Sequence, residues 1–187
     1  EGDGSQCICR NEPDCGYLNN DQNGSKPHTN TACDKFPYCG PYDPNSKMLI
    51  SPQIDNLCPA TVSESEVFIY QINFQNIGSA PAKFVTVIDT IDTDKFDLET
   101  FSNLNISHTY SFSISESRIL KWTFKNINLP GIEEDGLASS GYIKYKIHLK
   151  KNLSDFIIIK NRASIYFDFN SPIVTNLTVH LIGDSIP

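Results

Sequence analysis

The chain has 187 residues, 39% of them hydrophobic and 20% charged, with a formal net charge of −7. The apolar fraction supplies one core, and the charge is too low for a disordered tail. A mildly acidic chain without a Lys/Arg cluster makes a poor nucleic-acid binder, because phosphate contacts carry most of that affinity, and no run of about 18 apolar residues exists to span a membrane.

Glu1-Gly-Asp-Gly4 is not a signal peptide, so any targeting segment is expected to have been removed or to lie outside this stretch. All six cysteines, Cys7, Cys9, Cys15, Cys33, Cys39 and Cys58, lie within the first 58 residues. An even count in a stretch rich in Gly, Asn, Asp and Pro reads as a disulfide framework and hence an oxidising compartment. The pairing is left open. Zinc, iron–sulfur or free thiols are the alternatives, but Cys7-Ile-Cys9 is not a CxxC knuckle and no second knuckle follows. Residues 1–46 hold seven acids against three bases, and their few apolar residues show no period. Such a segment needs staples to offset its ordering entropy. It reads as a cysteine-rich loop segment. If Cys58 pairs upstream, the segment is bound covalently to the domain at 47–187.

From Lys47 onward apolar and polar residues alternate, the signature of half-buried strands. Strands are predicted near 47–51, across Phe68–Phe74, near 82–89, across Ile106–Ile114, across Leu120–Phe124, across Ile143–Leu149, near 159–169 and across Ile173–Leu181. In the last, Ile173, Thr175, Leu177, Val179 and Leu181 share one face, and Val174, Asn176, Thr178 and His180 the other. About eight strands and no convincing helix predict an all-β fold, an immunoglobulin-like antiparallel β-sandwich with a disulfide-stapled N-terminal segment. A closed barrel is the alternative.

No HxH, HExxH, GxSxG, P-loop or GxGxxG arrangement occurs, so the reading is non-enzymatic, with no cofactor and no metal required. His108 is in register with Tyr110 and Phe112 and reads as a core histidine; His148 and His180 fall on wet faces. Trp122 lies between Leu120 and Phe124 on an apolar face and reads as core. As a sugar-stacking platform, together with Tyr17, Tyr38 and Tyr42, it would instead make a carbohydrate-binding module. Asp92, Asp94 and Asp97, near Asp89, could offer hard oxygens to calcium, although the stretch lacks the glycine and final glutamate of a calcium loop and reads as a solvated turn. Asn-x-Ser/Thr occurs at Asn23, Asn105, Asn152 and Asn176. Asp-Thr90-Ile and Asp-Ser185-Ile resemble the O-glycosylation sites of Bacteroidota secreted proteins.

Four stretches carry a wider resemblance: Tyr42-Asp-Pro-Asn-Ser-Lys47, Tyr70-Gln-Ile-Asn-Phe-Gln-Asn-Ile-Gly78, Val87-Ile-Asp-Thr-Ile-Asp92 and Asn161-Arg-Ala-Ser-Ile-Tyr-Phe-Asp-Phe-Asn-Ser-Pro-Ile-Val-Thr-Asn176. Their order and spacing resemble a domain of unknown function in secreted and surface proteins of Bacteroidota, which often precedes a type IX secretion sorting domain. The chain is also similar, over about 42–182, to immunoglobulin-like repeats of bacterial surface stalks. The resemblance implies an extracellular, non-catalytic structural or adhesive module with protein partners or self-association in a surface assembly. A filament subunit polymerising through strand or N-terminal-segment exchange is the rival reading.

Strand parity points Asn161 and Asp89 inward, and Lys47 opens the first strand. Similar stalk domains join a lysine to an asparagine beside an acid in this chain order. The resemblance thus implies an isopeptide bond between Lys47 and Asn161, promoted by Asp89. In a dry interior a neutral amine is the nucleophile, and a protonated Asp89 would polarise the amide carbonyl.

Overall fold

Side chains on a strand alternate faces, so each long alternating stretch has one face fit for burial against a second sheet. The computed structural model describes residues 43–51, 61–62, 67–151, 153 and 157–182. The six cysteines and the segment 1–42 lie outside the described residues. So do Tyr17, Tyr38, Tyr42, His28 and Ser185.

Twelve strand segments and no helix are found among the described residues. They are β1 (Ser46–Ser51), β2 (Thr61–Val62), β3 (Val67–Gln75), β4 (Ala82–Thr90), β5 (Phe96–Ile106), β6 (Ser111–Ser115), β7 (Ile119–Leu129), β8 (Ser140–Leu149), β9 (Ile157–Asn161), β10 (Ala163–Phe167), β11 (Ile173–Val174) and β12 (Thr178–Ile182). One sheet runs β1-β3-β8-β5 and a second β11-β10-β4-β7-β6, all antiparallel. A small third sheet runs β2-β12-β9, in which β2 and β12 are parallel.

The two larger sheets bury their apolar faces together. Phe68, Tyr70, Ile72 and Phe74 of β3 and Ile143, Tyr145 and Ile147 of β8 are fully buried, as are Val85 and Val87 of β4 and Leu120, Trp122 and Phe124 of β7. β9 leads through Arg162 into β10, so the chain passes there from the small sheet into the second sheet.

Three expectations are corrected. The alternation across Ile106–Ile114 is not one strand: β5 ends at Ile106, residues 107–110 turn, and β6 starts at Ser111 as a sheet edge. The Asp-rich stretch flows directly into β5, an eleven-residue strand not anticipated. Across Ile173–Leu181 the strand breaks at residues 175–177, and the break shifts parity. His180 and Thr178 therefore point inward, while Leu177 and Val179 are exposed.

Candidate functional site

The inward face of β1 holds a lysine. Lys47 pairs with Ile72 on β3 and is 1% exposed. Its backbone is held by a side chain: the Lys47 N–H donates to Asn176 Oδ1, and Asn176 Nδ2 donates to the Lys47 carbonyl, both at 2.9 Å. Asn176 thereby imitates a neighbouring strand and fixes where Lys47 enters the core.

From the facing sheet, Asp89 of β4 meets it. Lys47 Nζ donates to Asp89 Oδ2 with both side chains fully buried. Tyr145 of β8 completes the contact: its hydroxyl accepts from Lys47 Nζ at 3.0 Å and donates to Asp89 Oδ2 at 2.7 Å. The Lys47 ammonium also lies 4.5 Å from the centre of the Tyr70 ring. Asn161 comes from the β9 end of the sheet crossover. Two residues on, Ala163 pairs directly with Asp89, which brings the buried Asn161 to the same place. Among the described residues, Asn161 Nδ2 and Asp89 Oδ1 have no hydrogen-bond partner.

Burial sets the electrostatics. Loss of solvent pushes Lys47 below the ordinary lysine value, against the opposing pull of the Asp89 carboxylate. Burial first, and then the negative charge of Asp89, push Tyr145 and Tyr70 well above the ordinary phenol value. His180 of β12 packs its ring on Phe68 and Tyr70; burial, and then the Lys47 charge, push it down to about 4.

An amine, a carboxyl and a phenol thus meet in the dry interior between sheets, with a buried amide at the end of β9. That combination suits acyl transfer from the amide to the amine, with the carboxyl and phenol as proton carriers. Of the three residues expected here, Lys47 and Asp89 are in direct contact, and Asn161 is buried at the end of β9, two residues before the strand partner of Asp89. Tyr145, Asn176 and His180 were not foreseen as parts of the site. Tyr145 reads in sequence as one more aromatic on the apolar face of β8, and only its tertiary partners reveal what the hydroxyl does.

Residues 43–181 match the family described as a domain of unknown function, DUF7619. The chain belongs to this family. No curated protein matches it. Among solved structures, this DUF7619 domain is similar to the C-terminal region of BspA, an antigen I/II polypeptide of Streptococcus agalactiae, at TM-score 0.53 and 12% identity over 74% of this chain and 49% of that one. It is likewise similar to the C-terminal domain of the Streptococcus pyogenes antigen I/II-family protein AspA, at TM-score 0.51 and 13% identity over 74% of this chain and 52% of that one. The chain spans about half the length of these solved chains, and the likeness shows a shared fold.

Elsewhere in the DUF7619 domain the remaining candidates are placed as follows. Trp122 is fully buried and its Nε1 donates to Asn103 Oδ1 at 2.8 Å, so it offers no platform to a sugar. His108 sits in the turn after β5, half-buried and bonded to Ser107 Oγ, rather than within a core strand. His148 faces outward on β8. Asp92 pairs with Lys95 at 2.7 Å and accepts the Asp94 N–H, while Asp97 accepts the Glu99 N–H. Among the described residues no three His, Cys, Asp or Glu gather as a metal would require. Thr90 is exposed at the end of β4. Asn105 is exposed, whereas the amide of Asn176 is engaged by the Lys47 backbone.

Proposed function

We propose that this DUF7619 domain is a non-catalytic, extracellular structural or adhesive module of a bacterial surface or secreted protein, and that β1 and the end of β9 are joined by an amide between Lys47 Nζ and Asn161 Cγ. The observation that carries the cross-link is a lysine wholly withdrawn from water and paired with an equally buried carboxylate, in a core that also holds the buried, unpartnered amide nitrogen of Asn161, two residues before the strand partner of Asp89. An ion pair this deep loses more hydration than its attraction returns unless further hydrogen bonds satisfy it. Amide formation relieves that cost by removing the lysine charge and expelling the orphaned Nδ2 as ammonia. The reaction consumes its own side chains once and turns over no substrate.

The surface assignment is supported by the resemblance to secreted and stalk proteins and by a fold shared with C-terminal domains of streptococcal antigen I/II proteins. A covalent tie between sheets suits a module that carries load between a cell and its target.

Intact mass of the purified chain, with its disulfides reduced, tests the cross-link. The wild type is expected to weigh about 17 Da less than its sequence, one ammonia, and Lys47→Ala or Asn161→Ala to restore the full mass. A wild-type mass equal to the sequence mass overturns it.

A further inference from the structure

Joining a lysine to an asparagine needs more proton traffic than one carboxyl conveniently handles. The amine must lose a proton before attack and another after it. The amide oxygen must be protonated or strongly bonded while the carbon is tetrahedral. The leaving nitrogen must gain a proton. Asp89 Oδ2 already receives both Lys47 Nζ and the Tyr145 hydroxyl. Of the groups buried here, the Tyr145 hydroxyl touches both the nucleophile and the acid.

We propose that Tyr145 is a catalytic member of this site, its hydroxyl relaying a proton from the attacking Lys47 Nζ to the Asp89 carboxylate, which hands it to the departing Asn161 Nδ2. The inference rests on the cross-link proposed above. The steps balance. The Lys47 ammonium gives one proton to the Asp89 carboxylate, leaving a neutral amine and a carboxylic acid. The Nζ lone pair forms a bond to Asn161 Cγ, the carbonyl π pair moves to Oδ1, and Oδ1 takes the Asp89 proton. Nζ now carries an extra proton. It passes that proton to the phenol oxygen as the phenol gives its own to the Asp89 carboxylate, which hands it to Nδ2. The Cγ–Nδ2 bond breaks, the Oδ1 proton returns to Asp89, and ammonia departs. Five nitrogen-bound protons at the start become one on the new amide, three on ammonia and one on Asp89, with no net charge at either stage.

The phenol is built for a relay rather than for a lasting base. Burial and the Asp89 charge oppose its ionisation, so it accepts a proton only while giving one. Its ring is fixed on three sides, stacked on Trp122 at 5.6 Å between centroids and packed on Tyr70 at 5.5 Å and Phe101 at 5.6 Å. The hydroxyl is therefore aimed without cost at the moment of reaction. Tyr70 provides the contrast. Its hydroxyl is equally buried but has no hydrogen-bond partner among the described residues.

The test follows loss of one ammonia with time in freshly translated full-length chains, quenched in acid and weighed intact. Tyr145→Phe keeps the ring and removes the relay, so it should form the bond about 100-fold or more slowly than wild type. Tyr142→Phe, on the opposite face of β8 from Tyr145, should keep the wild-type rate. Fluorotyrosine placed at position 145 alone retains shape and hydroxyl but changes its acidity, so the rate and its pH profile should move; a purely structural hydroxyl would leave both unchanged. This substitution also serves if Tyr145→Phe does not fold. A Tyr145→Phe chain that loses ammonia at the wild-type rate, or a fluorinated chain with an unaltered rate and profile, overturns the relay while leaving the cross-link standing. A wild-type chain that never loses ammonia overturns both.

Discussion

His180 shows how a single buried ring makes stability depend on pH. It is 4% exposed, and neither ring nitrogen has a partner among the described residues. It is therefore held neutral, with a folded-state pKa of about 4 against an ordinary value of 6.5. Below pH 6.5 the unfolded chain binds a proton that the folded chain refuses. Stability is therefore complete above about pH 6.5, falls as the pH drops towards 4, and levels off below that. The loss amounts to roughly 3 kcal/mol. Denaturant unfolding at pH 7.5 and pH 4 is expected to show this component in wild type and to lack it in His180→Phe. An equal acid loss in the two proteins would assign it to other groups. The sequence did not disclose this residue: the short break at 175–177 moves every later side chain to the opposite face, and nothing local marks it. Asp89 and Asn161 were legible because strand parity gave the direction of their side chains, whereas Lys47 was picked out by its place at the opening of the first strand and by the resemblance to stalk domains.

The stretches that alternate without interruption, β3, β8, Val85–Asp89 of β4 and Leu120–Phe124 of β7, are those whose burial was readable in advance, since a sheet with one packed face forces period two. The failure at Ile106–Ile114 has a physical cause as well. A turn of four residues preserves the alternation of residue types while abandoning the strand, so periodicity alone is blind to it. The β6–β7 connection carries a correctable strain. Glu116 and Ser117 have φ of 51° and 54°, and the Arg118 N–H closes on the Ser115 carbonyl at 3.1 Å. Positive φ at both central residues is the type I′ pattern, which Asn and Gly adopt far more readily than Glu and Ser. Replacing the pair by Asn-Gly should stabilise the domain by about 1–2 kcal/mol. Thermal melting is expected to rise by roughly 2–8 °C. An unchanged or lowered midpoint would mean that the turn is not under this strain in solution.

For the molecule as a whole, the proposed bond matters through where it sits in the chain. Lys47 begins the first strand and Asn161 ends β9, so the amide would enclose a loop of about 115 residues, and by the reasoning used for disulfides this withdraws on the order of 4–5 kcal/mol of unfolded-chain freedom. Under tension the consequence is sharper than under heat. Force applied at the two ends enters β1 at Lys47 and would leave through Asn161 without loading β3 to β8 in between, because the covalent path is shorter than any path through the sheets. The enclosed residues could then contribute no extension. In Asn161→Ala the Lys47–Asp89 pair and the Tyr145 hydrogen bonds can persist, so only the covalent path is lost. Single-molecule stretching of the full chain under reducing conditions is therefore expected to show an unfolding step longer in Asn161→Ala than in wild type by about 40 nm, the length of the enclosed residues when extended. Equal steps in the two proteins would show that no bond spans Lys47 and Asn161. A wild-type chain that extends fully, but only at higher force, would show strong non-covalent packing in place of a cross-link.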